Sequence, residues 1–364
     1  MLRIPVKTAS FSYEAVIETG VLARAGEIIR QLLAETQLFV ITTPPVRRRW
    51  GKTLVKSLQA AGFSPIVIEM RDGERFKRLS TVEALAEELL KRGADRKAAV
   101  LALGGGVVGD VAGMVASVYM RGIKLIQVPT TVQAQLDAAI GGKTGVNLRS
   151  GKNLVGTFYQ PQLVLIDPAT LATLPEREFR SGMYEALKCG VIGNPQLFDR
   201  LEKSDIAALR KDREFLSWVI AESVRLKARV VSADEREGDL RRVLNFGHTI
   251  GHALEAATAY RRFKHGEAVA WGMIAAAKIS AEIGLCDHLV YERIRNATLA
   301  WGRLPEIAVQ TARAMKLMQS DKKTEGGVVH FVLPKAIGKV EITNSIPAHA
   351  ITVALAEIRR ASRG

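Results

Sequence analysis

The chain has 364 residues, of which 48% are hydrophobic, enough for two cores of ordinary size and too many for a disordered protein. Lys and Arg number 52 against 37 Asp and Glu, giving a net charge of +15, but they lie in short groups such as Arg47–Arg49 with little aromatic interleaving, which disfavours nucleic-acid binding. The two cysteines form no CxxC pattern, and the first twenty residues lack an apolar signal segment, so a reducing, cytoplasmic setting is expected.

The first half of the chain alternates short β-branched runs with amphipathic segments, which predicts βαβ units and a mostly parallel sheet. The predicted strands are Leu38–Thr42, Pro65–Glu69, Ala99–Leu103, Ile123–Val128 and Leu163–Ile166. The predicted helices are Leu22–Leu33, Val46–Ala61 and Thr81–Lys91, the last with Ser80 as its N-cap.

Beyond Pro175 the sequence consists of long helical segments rich in Ala, Leu, Glu, Lys and Arg, with one predicted hairpin at Val328–Ile342. We therefore expect an α/β, Rossmann-like domain over residues 1–174 and a helical, all-α type domain over residues 175–364. The nearly uncharged stretch Ala98–Met120 contains Asp110 and several glycines, which favours a buried strand and a glycine turn over a membrane helix.

A glycine-rich segment, LALGGGVVGD over Leu101–Asp110, runs from a predicted strand into a small-residue helix. Gly104, Gly106 and Gly109 satisfy G-x-G-x-x-G, in which missing Cβ atoms let backbone N–H groups approach a pyrophosphate. A Rossmann fingerprint normally lies in the first βαβ unit, with an acid about 20 residues later, and neither holds here. The alternative interpretation, a glycine turn that serves only tight helix–strand packing, therefore remains open.

Two further strand ends offer polar groups near the same predicted sheet edge. Asp72–Lys77 follows one strand, where Glu74 could accept ribose hydroxyls and Lys77 could meet a phosphate, although a solvated turn is equally compatible. Thr130 and Thr131 end another strand and offer two hydroxyls.

The stretch Asp137–Asn153 places lysines between glycines, an arrangement that can bind phosphate through charge and backbone N–H groups. Gly142-Lys143-Thr144 resembles part of a P-loop, but Asp137 stands where the first glycine belongs, so this is not a Walker A motif. The alternative is a solvated loop.

Three of the six histidines cluster in sequence, at His248, His252 and His265. His248 and His252 are four residues apart and share one helix face, and imidazole with carboxylate suits a divalent ion such as zinc. The intervening residues are not those of HExxH, so two readings stay open: both histidines ligate, or one ligates while the other handles protons.

These segments together resemble the 3-dehydroquinate synthase family of sugar phosphate cyclases. The matching motifs run from about Asp72 to Lys323 and include GGGVVGD, VPTT, GGKTGVN, GKNLVG, FRSGM-x-E-x-x-K, DEREGDLR, LNFGHTIGHALE and HGE-x-VA-x-GM. Related enzymes often carry Asp and Asn near the adenosine ribose, where this chain reads Thr42-Thr43-Pro44-Pro45.

The resemblance implies a site for one divalent metal, zinc or cobalt, held by Glu185, His248 and His265. It implies NAD contacts at Asp72, Gly73, Glu74, Arg75, Phe76, Lys77, Gly105, Gly106, Val107, Val108, Gly109, Asp110, Thr130, Thr131, Lys143, Lys152, Thr170, Leu171, Ala172 and Thr173. It implies catalytic positions at Asp137, Lys188, Lys227, Arg241, Asn245 and His252. Substrate phosphate would meet Arg121, from across a homodimer, and Lys143, Asn153 and Lys322.

The reaction implied is conversion of 3-deoxy-D-arabino-heptulosonate 7-phosphate to 3-dehydroquinate and phosphate, by transient oxidation with NAD, phosphate elimination, reduction and aldol closure. Such an enzyme is a lyase of the shikimate pathway to chorismate and the aromatic amino acids, with neither nucleic acid nor membrane as partner. The alternative is another sugar phosphate cyclase, such as a valiolone or inosose synthase.

Overall fold

The computed structural model describes residues 1–33, 36–321 and 329–363. The chain forms two compact units, Met1–Leu174 with Arg213–Arg236, and Pro175–Asp212 with Glu237–Gly364. The segment Arg213–Arg236 belongs to the first unit, whereas the sequence analysis assigned it to the second domain.

The strands, numbered in chain order, are β1 Leu2–Lys7, β2 Ser12–Ile17, β3 Leu38–Thr42, β4 Ile66–Glu69, β5 Ala99–Gly104, β6 Lys124–Pro129, β7 Lys143–Val146, β8 Val155–Phe158, β9 Leu163–Ile166, β10 Phe331–Ala336 and β11 Lys339–Thr343. The α-helices are α1 Ala25–Leu32, α2 Pro44–Val46, α3 Lys52–Ala60, α4 Leu79–Lys91, α5 Gly106–Val118, α6 Glu176–Gly193, α7 Pro195–Glu202, α8 Ile206–Lys211, α9 Arg213–Ala233, α10 His248–Ala257, α11 His265–Glu282, α12 His288–Ala300, α13 Thr311–Asp321 and α14 Ala348–Ala361.

Within the described residues of the first unit, seven strands form one sheet in the order β1-β2-β9-β6-β5-β3-β4. Only the β1–β2 pair is antiparallel, and the remaining neighbours run parallel. Strands β3 and β5 are buried along their whole length, as expected for parallel strands covered on both faces. The Rossmann-like α/β prediction is confirmed, with the five predicted strands within one residue at either end.

The strand order reverses between β3 and β5. From β3 the chain moves outward to β4 and then returns to β5 on the opposite side of β3. In open parallel sheets, ligands bind outside the carboxyl ends of the strands at such a reversal. This edge is formed by the segments that follow Thr42 and Gly104.

The hairpin of β1 and β2 was not predicted, because its sequence is short, weakly alternating and interrupted by Pro5. Proline is tolerated here because β1 is the edge strand of the sheet. Helix α4 begins at Leu79 with Arg78 as its N-cap, so the predicted capping role of Ser80 was wrong. Instead, the hydroxyl of Thr81 in the first turn of α4 donates to the carbonyl of Phe76 at 2.6 Å, which holds the segment just before the helix.

Helix α9 belongs to the first unit because it contacts that unit near both of its ends. Near the N-terminal end, Ser217 Oγ lies 3.5 Å from Thr19 Oγ1. Lys227 donates to the carbonyl and to the carboxylate of Asp137, at 2.6 and 2.5 Å. At the C-terminal end, Ser232 Oγ accepts from the backbone N–H of Lys7 at 3.1 Å, and Glu235, just beyond the helix, accepts from Ser10.

The second unit is helical, as predicted. The hairpin predicted at Val328–Ile342 is confirmed as the pair of β10 and β11, and residue 328 lies outside the described range. Helix α11 is buried on nearly every face and is the centre of this unit. Among the helices of the described ranges, none has both the length and the apolar character needed to cross a bilayer.

Candidate metal and dinucleotide sites

Glu185, His248 and His265 come together in the second unit. Glu185 lies within α6 and is 1% exposed, while the two histidines are the first residues of α10 and α11. Glu185 Oε1 lies 3.8 Å from His248 Nε2 and 3.4 Å from His265 Nε2. Two ligand atoms bound to one tetrahedral zinc ion lie roughly 3.4 Å apart, so the spacing suits a shared ion.

The outer ring nitrogens of both histidines are held by oxygen atoms. His248 Nδ1 lies 3.1 Å from the carbonyl of Phe246, and His265 Nδ1 lies 3.2 Å from Oε2 of Glu255, which is 3% exposed. Oxygen partners at Nδ1 fix the ring orientation and leave Nε2 to a metal.

Close helix packing makes this geometry possible. A Cβ on Gly266 would lie 1.8 Å from the carbonyl oxygen of Ser181, so only glycine lets α11 approach α6 at the residue next to His265. Gly247, which precedes His248, has a φ of 79°, a left-handed conformation that favours glycine.

Burial and neighbouring charges shift the pKa values of Glu185, His248 and His265. Burial alone would raise the pKa of Glu185, but the Lys188 ammonium 2.5 Å away and the two histidines outweigh it and hold that pKa well below its usual range. Burial and Lys188 keep the pKa of His248 well below normal. Burial also opposes charge on His265, yet the carboxylates of Glu185 and Glu255 beside its ring raise its pKa to about 10.

The chemistry of these donors fits a divalent cation. Oε2 of the buried Glu185 is ion-paired with Lys188, whereas Oε1, which faces Nε2 of both histidines, has no hydrogen bond of acceptable geometry among the described residues. Buried polar atoms are nearly always satisfied, so a carboxylate oxygen that faces two imidazole nitrogens without such a bond fits a shared cation. Glu185, His248 and His265 are therefore the residues that would hold the ion.

His252 joins this cluster on its exposed side. Its ring centroid lies 5.3 Å from that of His248 and 5.8 Å from that of His265. Ligand atoms of the three histidines lie within 4.8 Å of one another, so a three-histidine set also has suitable spacing. The unsatisfied Oε1 of Glu185, which faces His248 and His265, favours the set with Glu185, and the role of His252 stays a prediction.

In the first unit, Lys77 connects two of the predicted cofactor segments with Asn153, a predicted phosphate-binding residue. Its buried ammonium donates to Asp110 on α5 and to Asn153, each at 2.5 Å. Its backbone carbonyl accepts from Asn147 N at 2.7 Å, and the Asn147 amide donates to Glu74 at 2.8 Å. Burial raises the pKa of Asp110, and the Lys77 charge opposes that rise.

The glycine segment lies at the end of β5, and α5 begins at Gly106. The backbone N–H of Thr130 donates to the carbonyl of Gly104 at 2.9 Å, and a Cβ on Gly105 would approach the Thr131 side chain to 3.0 Å. Thr170 lies in the 3₁₀ turn Pro168–Thr173, and its hydroxyl accepts from Gln135 at 3.0 Å. The first unit thus gathers most of the predicted cofactor positions around one sheet edge.

The remaining predicted positions have varied surroundings. Arg241 is buried, and Asn245 donates to Glu237 at 3.2 Å. Lys143 begins β7 rather than lying in an irregular loop, and Arg121 has a left-handed φ of 69°. Lys322 lies outside the described residues.

The sequence analysis assigned no role to Glu255, which contacts His265, or to Asn147, which bonds Glu74 and Lys77. Glu255 had a usable signal, because it lies seven residues after His248 on the same helix face. Asn147 had none, since its partners come from a distant loop.

Family models and a relative of known name all match this chain to 3-dehydroquinate synthase. The family model described as 3-dehydroquinate synthase N-terminal matches residues 67–181, and the model described as 3-dehydroquinate synthase C-terminal matches residues 182–324. A 3-dehydroquinate synthase from Koribacter versatilis (strain Ellin345) is 54% identical over 360 residues, which cover 99% of this chain and 98% of the relative.

Two solved structures are also similar. ValA, a 2-epi-5-epi-valiolone synthase from Streptomyces hygroscopicus subsp. jinggangensis 5008 with NAD+ and Zn2+ bound, gives a TM-score of 0.88 at 30% identity, covering 97% of this chain and 98% of that one. A 2-deoxy-scyllo-inosose synthase complexed with carbaglucose-6-phosphate, NAD+ and Co2+ gives 0.87 at 28% identity, covering 99% of both.

Proposed function

The chain belongs to the 3-dehydroquinate synthase family, and from that premise we propose that it converts 3-deoxy-D-arabino-heptulosonate 7-phosphate to 3-dehydroquinate and phosphate. As a member of this family it is a phosphorus–oxygen lyase of the shikimate pathway. The observation that carries the proposal is the buried Glu185 carboxylate facing Nε2 of both His248 and His265.

Two bound groups would supply the chemistry that side chains cannot. A divalent ion, zinc or cobalt, held by Glu185, His248 and His265 would act as a Lewis acid that acidifies a substrate hydroxyl. NAD held by the Asp72–Lys77 segment, the glycine segment Gly105–Asp110 and the strand end at Thr130 and Thr131 would take up a hydride and return it in the same turnover.

The chain's own residues would bind and orient the dinucleotide and the substrate. Lys77, fixed by Asp110 and Asn153, keeps a cation beside the glycine segment, where it suits a dinucleotide. Lys227 is held against Asp137, which fixes a carboxylate and an ammonium in one place. Lys188 and Arg241 add buried positive charge suited to a substrate with a carboxylate and a phosphate. His252, exposed beside the ligand histidines, would exchange a proton at a ring nitrogen with a substrate hydroxyl.

Three finer proposals come from the family resemblance. Phosphate would be bound by Lys143, Asn153 and Lys322, with Arg121 supplied by the other protomer of a homodimer. The remaining cofactor contacts would come from Lys152 and the segment Thr170–Thr173. The protein would work in the cytoplasm.

One assay tests the proposed reaction. Purified protein, NAD, a divalent metal and the heptulosonate phosphate should release phosphate and form 3-dehydroquinate in equal amounts, and a chelator should stop both. Phosphate release without the expected carbocycle, or turnover only of other sugar phosphates, would instead support a valiolone or inosose cyclase, the class of the two similar structures. Absence of any turnover with all of these substrates would reject both.

A further inference from the structure

The loop after β3 lies at the sheet edge where a dinucleotide is expected. The strand order reverses between β3 and β5, and parallel sheets bind ligands at that reversal. The glycine segment follows β5, so the residues after Thr42 flank the same crevice. In dinucleotide-binding folds this neighbouring strand end distinguishes NAD from NADP: an acid accepts from the ribose 2′-hydroxyl, whereas an arginine accommodates a 2′-phosphate.

No acid directly follows β3 in this chain, and the neighbouring carboxylate, Glu69 at the end of β4, is paired with Arg47. Between Thr36 and Ile68 it contains neither Asp nor Glu, and it carries five cations, Arg47, Arg48, Arg49, Lys52 and Lys56. An unpaired carboxylate directly after β3 would repel a 2′-phosphate, so the absence of one from that loop lowers the usual barrier to NADP.

One of these cations is fixed at the edge itself. Arg47 lies one turn beyond the end of β3, and its Nη1 is 3.3 Å from Oε1 of Glu69. Glu69 ends β4 directly beside Thr42 in the sheet register. Both side chains of the ion pair are more than a third exposed, so the guanidinium stays accessible to an anion.

We propose that the dinucleotide site accepts NADP+ as well as NAD+, with Arg47 binding the 2′-phosphate. The inference rests on the proposed use of NAD. Glu69 partly neutralises Arg47, so the site does not demand a phosphate and both cofactors fit.

Calorimetric titration of the purified protein with NAD+ and with NADP+ tests this directly, without relying on turnover. The two dissociation constants should lie within tenfold of each other. Arg47→Ala should weaken NADP+ binding roughly tenfold and leave NAD+ binding unchanged, because a charge-assisted contact to phosphate is lost. Glu69→Gln should strengthen NADP+ binding, since it removes the competing carboxylate. Both residues are half-exposed, so neither change should prevent folding.

Lys56→Ala is the matched control, because it removes one exposed cation from α3, farther along the same helical segment. NADP+ binding more than tenfold weaker than NAD+ binding in the unmodified protein would overturn the inference and leave the proposed function intact. Equal effects of Arg47→Ala and Lys56→Ala would also overturn it, because bulk charge would then explain the affinity. Failure of both dinucleotides to bind would reject the proposed cofactor itself.

Discussion

His265 Nδ1 lies 3.2 Å from Oε2 of Glu255, while its Nε2 lies 3.4 Å from Glu185. The imidazole therefore lies between two buried carboxylates. Glu255 orients the ring so that Nε2 faces Glu185. Glu255→Gln keeps the shape but removes the charge, and we expect metal affinity to fall about 10- to 100-fold, as for other partners of ligand histidines. Competition with a chelator of known affinity measures this, and saturating metal should restore turnover.

Glu267→Gln is the matched control for that variant. Glu267 is equally buried and lies on the same helix as His265, but it pairs with Arg177 through two hydrogen bonds of 2.7 Å. Its loss should lower the free energy of unfolding while metal affinity stays within about threefold of the original, less than the second-sphere effect. If both variants weakened metal binding equally, Glu255 would have only a structural role.

The choice between the two ligand sets gives a second prediction. Glu185→Ala and His248→Ala should each lose the metal and nearly all turnover, because the site would keep only two strong ligands. His252→Ala should retain the metal and slow turnover, about 10²-fold or more if it moves a proton. Elemental analysis of the purified variants gives the metal content. Metal lost from His252→Ala but kept by Glu185→Ala would establish the three-histidine set instead.

Much of the first unit could be predicted from sequence, because fully apolar β-branched runs such as Leu38–Thr42 have few alternatives to a buried strand. Partners distant in sequence could not. Helix α9 is amphipathic, and nothing in its pattern indicates that Lys227 bonds Asp137 in the first unit.

In the metal site, too, local sequence patterns indicate some residues and not their distant partners. Spacing drew attention to His248 and His252, because four residues are one helical turn. No local pattern marks Glu185, a carboxylate far upstream whose position depends on how α6 packs beside α11. Motif resemblance supplied what periodicity could not, since it preserves distant residues that act together.

Gly266 is the position at which packing and the site are most directly linked. Gly266→Ala would place a methyl group 1.8 Å from the Ser181 carbonyl, so α6 and α11 must separate. Because Glu185 and His265 lie on these two helices, we expect weaker metal binding together with a stability loss of about 1–3 kcal/mol, typical of overpacking. Urea unfolding of the metal-free protein and chelator competition measure the two effects. Unchanged metal affinity with reduced stability would show that the helices adjust without moving the ligands.

Glu235 gives a prediction for pH dependence in the first unit. Burial alone would raise its pKa, but hydrogen bonds from the hydroxyl and backbone N–H of Ser10 and from Gln160 outweigh it and lower the pKa. A carboxyl group that is more acidic in the folded state stabilises the fold above its unfolded pKa, near 4.5, and loses that contribution as the pH falls through the folded value.

Glu235→Gln should therefore cost about 1 kcal/mol at pH 7, since charge-assisted hydrogen bonds become neutral ones. The difference from the unmodified protein should stay constant from pH 7 down to about 5 and shrink below the unfolded value near 4.5, where the wild-type carboxyl also becomes protonated. Urea unfolding of both metal-free proteins across this range, read at equal ionic strength, measures the difference without interference from metal release. A difference that stayed constant down to pH 3 would mean that shape rather than charge joins Glu235 to Ser10 and Gln160, and that α9 is held to the sheet by packing and by Lys227.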